Sequence, residues 1–290
     1  MREKAGICAG KGGNLRREKT GAAAEKNGNH AGDRMDKKGR IVYNKVWWRK
    51  AMYTFESRVR YSELDENGRL SLEGIMNYFQ DCSTFQSEEL GLGISHLAGR
   101  KRAWWLSAWL ICLKRQPRLG ERIRISTWPH GFKGIYGYRN FQIADGEGRP
   151  LIQADSTWFF YDLENGRPAR VSEEERTGYG EEPALSLPAL QGKIRIPQER
   201  IRREAVTVAR HHLDSNHHVN NAQYAAIARE LLPEGFAVGT LRVEYRRAAV
   251  LGDVMIPEVA RVPEGYVISF RDQEDNPFAN LWMAEKREDE

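Results

Sequence analysis

Two stretches of the chain decide how it folds: "LDENGRLSLEGIMNY" at Leu64–Tyr78 and "LDSNHHVNNAQYAAI" at Leu213–Ile227. Leu, Asp and Asn coincide at one offset. In both, an apolar residue follows and helical periodicity begins. A short strand-like segment precedes each, "FESRVRYSE" in the first half and "EAVTVARHH" in the second. Ile75, Met76, Phe79 and Cys82 recur at i, i+1, i+4, i+7 and mark one face of the first helix. The second helix carries Tyr224, Ala225, Ile227, Ala228 and Leu231, whose small residues let a sheet wrap it closely.

Working outward, each helix is followed by a run of strands. The first half has "AWWLSAWLICLKR", "RIRISTW", "YGYRNFQIAD" and "LIQADSTWFFYD". The second has "AVGTLRVEYRRAA", "DVMIPEVARV", "GYVISFRD" and "PFANLWMAEK". Leu119-Gly120-Glu121 and Leu251-Gly252-Asp253 are matching turns after the first long strand, and Pro150 and Pro277 precede the last. Strand, helix and four strands, written twice, predict an α+β fold. Each half is one long helix wrapped by a curved antiparallel sheet, which makes a tandem (double) hotdog. The predicted boundaries are an N-terminal unit at 52–162, a proline- and glutamate-rich linker at 163–200, and a C-terminal unit at 201–290.

The net charge of +5 is unevenly spread. Residues 1–50 hold 14 Lys/Arg against five acids, or +9, which leaves 31 against 35, or −4, for 51–290. Residues 1–51 therefore read as a disordered basic extension, with a start assigned upstream and Met52 opening the folded body. A nucleic-acid arm is the less favoured reading of that segment, so no nucleic-acid partner is expected. No run of about 18 apolar residues predicts a membrane span. Cys8, Cys82 and Cys112 are odd in number and lack metal-type spacing, which points to a reducing cytoplasm without a disulfide framework.

The second stretch is flanked and filled by His211, His212, His217 and His218. A zinc site would need ligands on a shared element, and these pairs fall on a strand end and a helix start, so no metal is predicted. Helix capping explains the Asp, Asn and Ser residues. It does not explain the imidazole. In the first copy the positions of His217 and His218 are Gly68 and Arg69, so the turn itself does not require histidine. A side chain that moves protons near neutral pH stands in one copy only. Asp214, Asn216 and His218 alternate on an extended approach to the helix, which predicts that they project to one side.

The stretch Asp214-Ser215-Asn216-His217-His218-Val219-Asn220-Asn221-x-x-Tyr224 resembles the Asp-Met-Asn-Gln-His-Val-Asn-Asn-x-x-Tyr motif of acyl-acyl carrier protein thioesterases. Glu230 matches the acid that follows, and "VEYRRAAVLGD" (Val243–Asp253) is similar to the family's "LEYRRECGRD". The resemblance covers about Tyr53 to Met283. It implies hydrolysis of fatty acyl-carrier thioesters without a cofactor, with Asp214 or His218 activating water and Asn216 positioning the water or the thioester oxygen. It also implies an acyl pocket in the first half, on Ile75, Met76, Phe79 and Cys82. The carrier protein is acidic, so Arg115, Arg118, Lys133, Arg139, Arg246 and Arg247 are candidates to dock it. The family's Glu-Cys pair is replaced by Ala248 and Ala249, which leaves the second carboxylate open, with Glu244 a candidate. Self-association into a homodimer is left open.

Overall fold

The computed structural model describes residues 51–188 and 192–286, with the main chain of two short strands, β1 (Arg34–Met35) and β2 (Ile41–Val42). These two pair antiparallel and belong to a unit of their own, Met1–Trp48. The rest of the expected basic extension, up to Lys50, lies outside the described residues.

The second unit, Arg49–Glu290, holds everything else. Its first half runs β3 (Tyr53–Arg58), α1 (Leu72–Glu89), α2 (Ile94–Gly99), β4 (Arg102–Leu113), β5 (Arg122–Lys133), β6 (Tyr136–Asp145) and β7 (Pro150–Asp162). β8 (Arg167–Pro168), α3 (Glu173–Tyr179) and β9 (Ile201–Arg202) follow. The second half runs β10 (Val206–Thr207), α4 (Asn221–Arg229), β11 (Val238–Tyr245), β12 (Val254–Val262), β13 (Gly265–Arg271) and β14 (Pro277–Glu285). All the long strands join one antiparallel sheet in the order β10-β12-β13-β14-β11-β4-β7-β6-β5-β3. Reading outward from the middle, each half has the same strand order. The halves meet where β4 pairs with β11, with Trp109 opposite Val243 and Ile111 opposite Leu241. This is the tandem hotdog, α+β, expected from the duplicated pattern.

The helices form where the sequence places their caps. Ser71 Oγ accepts the N–H of Gly74 at 3.0 Å and opens α1. Asn220 Oδ1 accepts the N–H of Ala222 at 2.9 Å and opens α4. Gly91, at φ 73°, takes the left-handed conformation just past α1. One apolar core runs through both halves. Its centre is Phe79 of α1, 5.8 Å from the Trp109 ring and 5.1 Å from the Phe141 ring. Ile75, Met76, Phe79 and Cys82 are all fully buried in this core. The Cys82 thiol donates to the carbonyl of Ile125 on β5.

The connection between the halves carries structure of its own. β8 pairs with β7, and α3 packs its Tyr179 and Glu175 inward. Farther on, the Trp128 indole donates to the carbonyl of Pro183, and the N–H of Leu185 donates to Asn140. Among the described residues no helix is long and apolar enough to cross a membrane.

Phe79→Ala is expected to lower the unfolding free energy by about 3–5 kcal/mol, because a ring at the middle of a closed aromatic cluster is removed. Urea denaturation monitored by tryptophan fluorescence measures it.

Candidate active site

The Leu213–Asn220 segment is a tight turn closed by its own aspartate. Asp214 Oδ1 accepts the N–H of Asn216 at 2.8 Å and that of His218 at 3.3 Å. The Asp214 N–H donates to the His218 carbonyl at 2.8 Å. The first half repeats this bond for bond. Asp65 Oδ1 accepts the N–H of Asn67 and of Arg69, both at 2.9 Å, and the Asp65 N–H donates to the Arg69 carbonyl. Gly68 sits at φ 69° and His217, its counterpart, at φ 60°. Asp214 is therefore first a turn-former, since one of its oxygens is held by two main-chain donors.

The turn is fixed on both sides. His218 bridges Val250, and the Val219 N–H donates to Ala249 at 2.9 Å. Gln80 of α1 reaches over to α4, accepting from the Asn221 amide at 3.0 Å and donating to Asn220 at 3.4 Å. The Tyr245 hydroxyl donates to the Asn221 carbonyl at 2.9 Å, and burial pushes its pKa well above the usual phenol range. His212 is drawn into the scaffold: its Nδ1 accepts the Ala209 N–H, and burial lowers its pKa.

Asp214, Asn216 and His218 line one cavity of about 740 Å³. They are gathered by the closed turn rather than by the extended alternation expected, because His217 reverses the chain between them. The His218 ring stands edge-on to Trp105, with centroids 6.3 Å apart. The walls beyond are aromatic: Trp104, Trp105, Phe132, Trp158, Phe159 and Tyr179. Asp214 is the one carboxylate among the lining residues.

The pocket residues that the resemblance implies lie elsewhere. Ile75, Met76, Phe79 and Cys82 face the closed core and do not line the cavity. The α1 side chains that do are Gln80, Ser83, Thr84 and Ser87, a stripe at i, i+3, i+4, i+7 on the adjoining, polar face. Apolar periodicity finds what packs, and this stripe is polar, so that signal passed over it. Cys82 is no nucleophile, because burial pushes its thiol up to about 12. Glu244 is engaged by Arg242 at 2.7 Å, by Arg246 and by the Ile194 N–H, and it does not line the cavity.

The six candidate docking cations divide. Arg246 and Arg247 line the cavity beside Ala248. Arg247 pairs with Asp272 at 2.6 Å and lies over the Phe278 ring. Arg115 and Arg118 line a separate cleft of about 210 Å³ with Arg69, Lys114 and Lys286. Arg115 is bonded there to Glu121, whose carboxyl it holds below the usual range. Lys133 is exposed at the end of β5. Arg139 is only 8% exposed, its guanidinium donating to Gln86 and Thr127, so it lies inside the cavity wall and presents no outer surface. One group with metal-ligand spacing occurs among the described residues, His96, Glu174 and Glu175. The Arg100 guanidinium already pairs with both of its carboxylates.

Residues 50–179 match the family model described as the acyl-ACP thioesterase N-terminal domain. The chain is similar to two chloroplastic acyl-[acyl-carrier-protein] hydrolases of Cuphea viscosissima. FATB2 is 24% identical over 254 residues, covering 80% of this chain and 60% of the relative. FATB3 is 26% identical over 207 residues, covering 65% and 50%. The chain thus spans about half to three-fifths of the length of these relatives. Its fold matches an acyl-ACP thioesterase from Bacteroides thetaiotaomicron with a TM-score of 0.74 at 21% identity, covering 81% of this chain and 98% of that one. It also matches the 12:0-ACP thioesterase from Umbellularia californica with a TM-score of 0.71 at 18% identity, covering 81% and 97%.

A thiol reagent at pH 8 is expected to leave Cys82 unmodified in the folded protein and to label it on unfolding, since so little thiolate forms. Peptide mass analysis before and after denaturation reads this directly.

Proposed function

We propose that the chain hydrolyses fatty acyl-acyl carrier protein, releasing free fatty acid, a reading supported by the match of residues 50–179 to the acyl-ACP thioesterase N-terminal domain model. The observation that carries this reading is the gathering of Asp214, Asn216 and His218 on the wall of one large, aromatic-lined cavity. Apolar walls suit an acyl chain, and the polar turn supplies the groups that thioester hydrolysis needs.

His218 is the general base. Asp214 has one oxygen committed to the turn, and its counterpart Asp65 does the same work where no chemistry is assigned. His218 takes a proton from water as the water oxygen bonds to the thioester carbon. Asn216 positions the water or the thioester oxygen, and the positive end of the α4 dipole favours the developing oxyanion. The carbon–sulfur bond then breaks, and the departing thiolate recovers the proton from the imidazolium. One water is consumed, and a carboxylic acid and a thiol remain.

An acidic carrier protein would meet Arg246 and Arg247 beside the turn. A cytoplasmic setting fits a chain with three cysteines and no paired spacing.

His218→Ala is expected to lower kcat by at least about 10²-fold while the protein still folds. Asp214→Asn and Asp65→Asn form a matched pair, because both keep the turn-closing oxygen. If Asp65→Asn leaves turnover intact while Asp214→Asn lowers it far more than His218→Ala does, the carboxylate rather than the imidazole is the base. With a matched carrier-protein substrate, kcat/KM should fall as salt rises past about 0.15 M. A flat salt response, with the acyl-coenzyme A turned over equally well, would move the substrate to coenzyme A.

A further inference from the structure

The cavity has a direction, given by α1. Gln80 opens the polar stripe and is hydrogen-bonded to Asn220 and Asn221, two and three residues after His218. Ser83 and Thr84 continue it. Ser87 closes it, and its hydroxyl is 2.9 Å from the Tyr179 hydroxyl. Seven residues of helix separate the two ends, about 10 Å at 1.5 Å per residue.

Tyr179 is the last residue of α3, so it comes from the connection between the halves. It is 5% exposed, and its ring lies 6.4 Å from Phe132 and 6.5 Å from Trp104, both cavity residues. The Arg139 guanidinium lies 5.3 Å from the ring centroid. Among the described residues no carboxylate pairs with Arg139; a phenol, an amide and a hydroxyl surround it. α3 has little room to move. A side-chain carbon on Gly178 would come within 2.7 Å of Leu92, and Glu175, 1% exposed, accepts from Ser172.

We infer that Tyr179, with the guanidinium it covers, is the end wall of the acyl cavity and limits the length of chain accepted. This rests on the acyl-carrier reading above and adds to it a residue that sets specificity. An apolar chain can run along the stripe, but going farther means displacing a packed ring and stripping a buried cation of the ring that covers it. A staggered chain advances roughly 1.25 Å per carbon. The stripe therefore holds roughly eight carbons, and the preferred substrate is of medium length.

The test is binding of straight-chain fatty acids, from hexanoate to stearate, to the full chain by calorimetry. This readout needs no turnover. Affinity should rise with length and then drop by about tenfold or more at a cut-off. Tyr179→Ala, or Tyr179→Leu if the alanine variant does not fold, should move the cut-off outward by roughly two to four carbons, about the depth of one ring. Tyr179→Phe should leave it in place, and Ser83→Leu should move it inward. A folded Tyr179→Ala or Tyr179→Leu with an unchanged cut-off overturns the end wall even if the wild type hydrolyses acyl-carrier substrates. A moved cut-off in a protein that hydrolyses none of them keeps the wall and removes the proposed reaction. No binding at any length removes both.

Discussion

The pairing of β4 with β11 is the constraint on which the molecule depends. Those two strands turn two half-sheets into one, and the shared sheet covers α1 and α4 together. Without it each half would expose the inner edge of its sheet, with main-chain donors and acceptors unpaired. With it, Gln80 of the first half can reach the capping residues of α4 in the second. The cavity is likewise shared: its turn comes from one half and its aromatic walls largely from the other.

The duplicated turn separates scaffold from chemistry. Asp65 and Asp214 make the same bonds to the same relative positions, so the carboxylate explains the shape of both turns. What differs is the cargo. One turn carries Arg69 and faces a small cleft edged with further cations. The other carries His218 and faces the large cavity. Backbone geometry is common to both, and function follows from the side chains placed on it.

Much of this was legible in the sequence. The eight long strands fall on the segments named in the sequence between turn residues, and the helices start at Ser71 and Asn220, where capping residues stand. The turn was legible because it is written twice. The cavity was not. Ile75, Met76 and Phe79 advertise burial, which packing alone satisfies, whereas Ser83 and Ser87 carry no apolar signal. Charge was equally mute about place: Arg139 is walled in while Lys133 is exposed. The connection rich in proline and glutamate reads as spacer, and only three-dimensional packing shows that Tyr179 turns inward from it.

The contrast between Gly68 and His217 has a further consequence. Both occupy the left-handed region, which glycine enters freely and a side chain enters at a cost of about 1 kcal/mol or more. The histidine-bearing turn is thus the less settled of the twins. Amide exchange should show its protons traded with solvent sooner than those of its silent double, so that the segment richest in imidazole is also the one most ready to breathe.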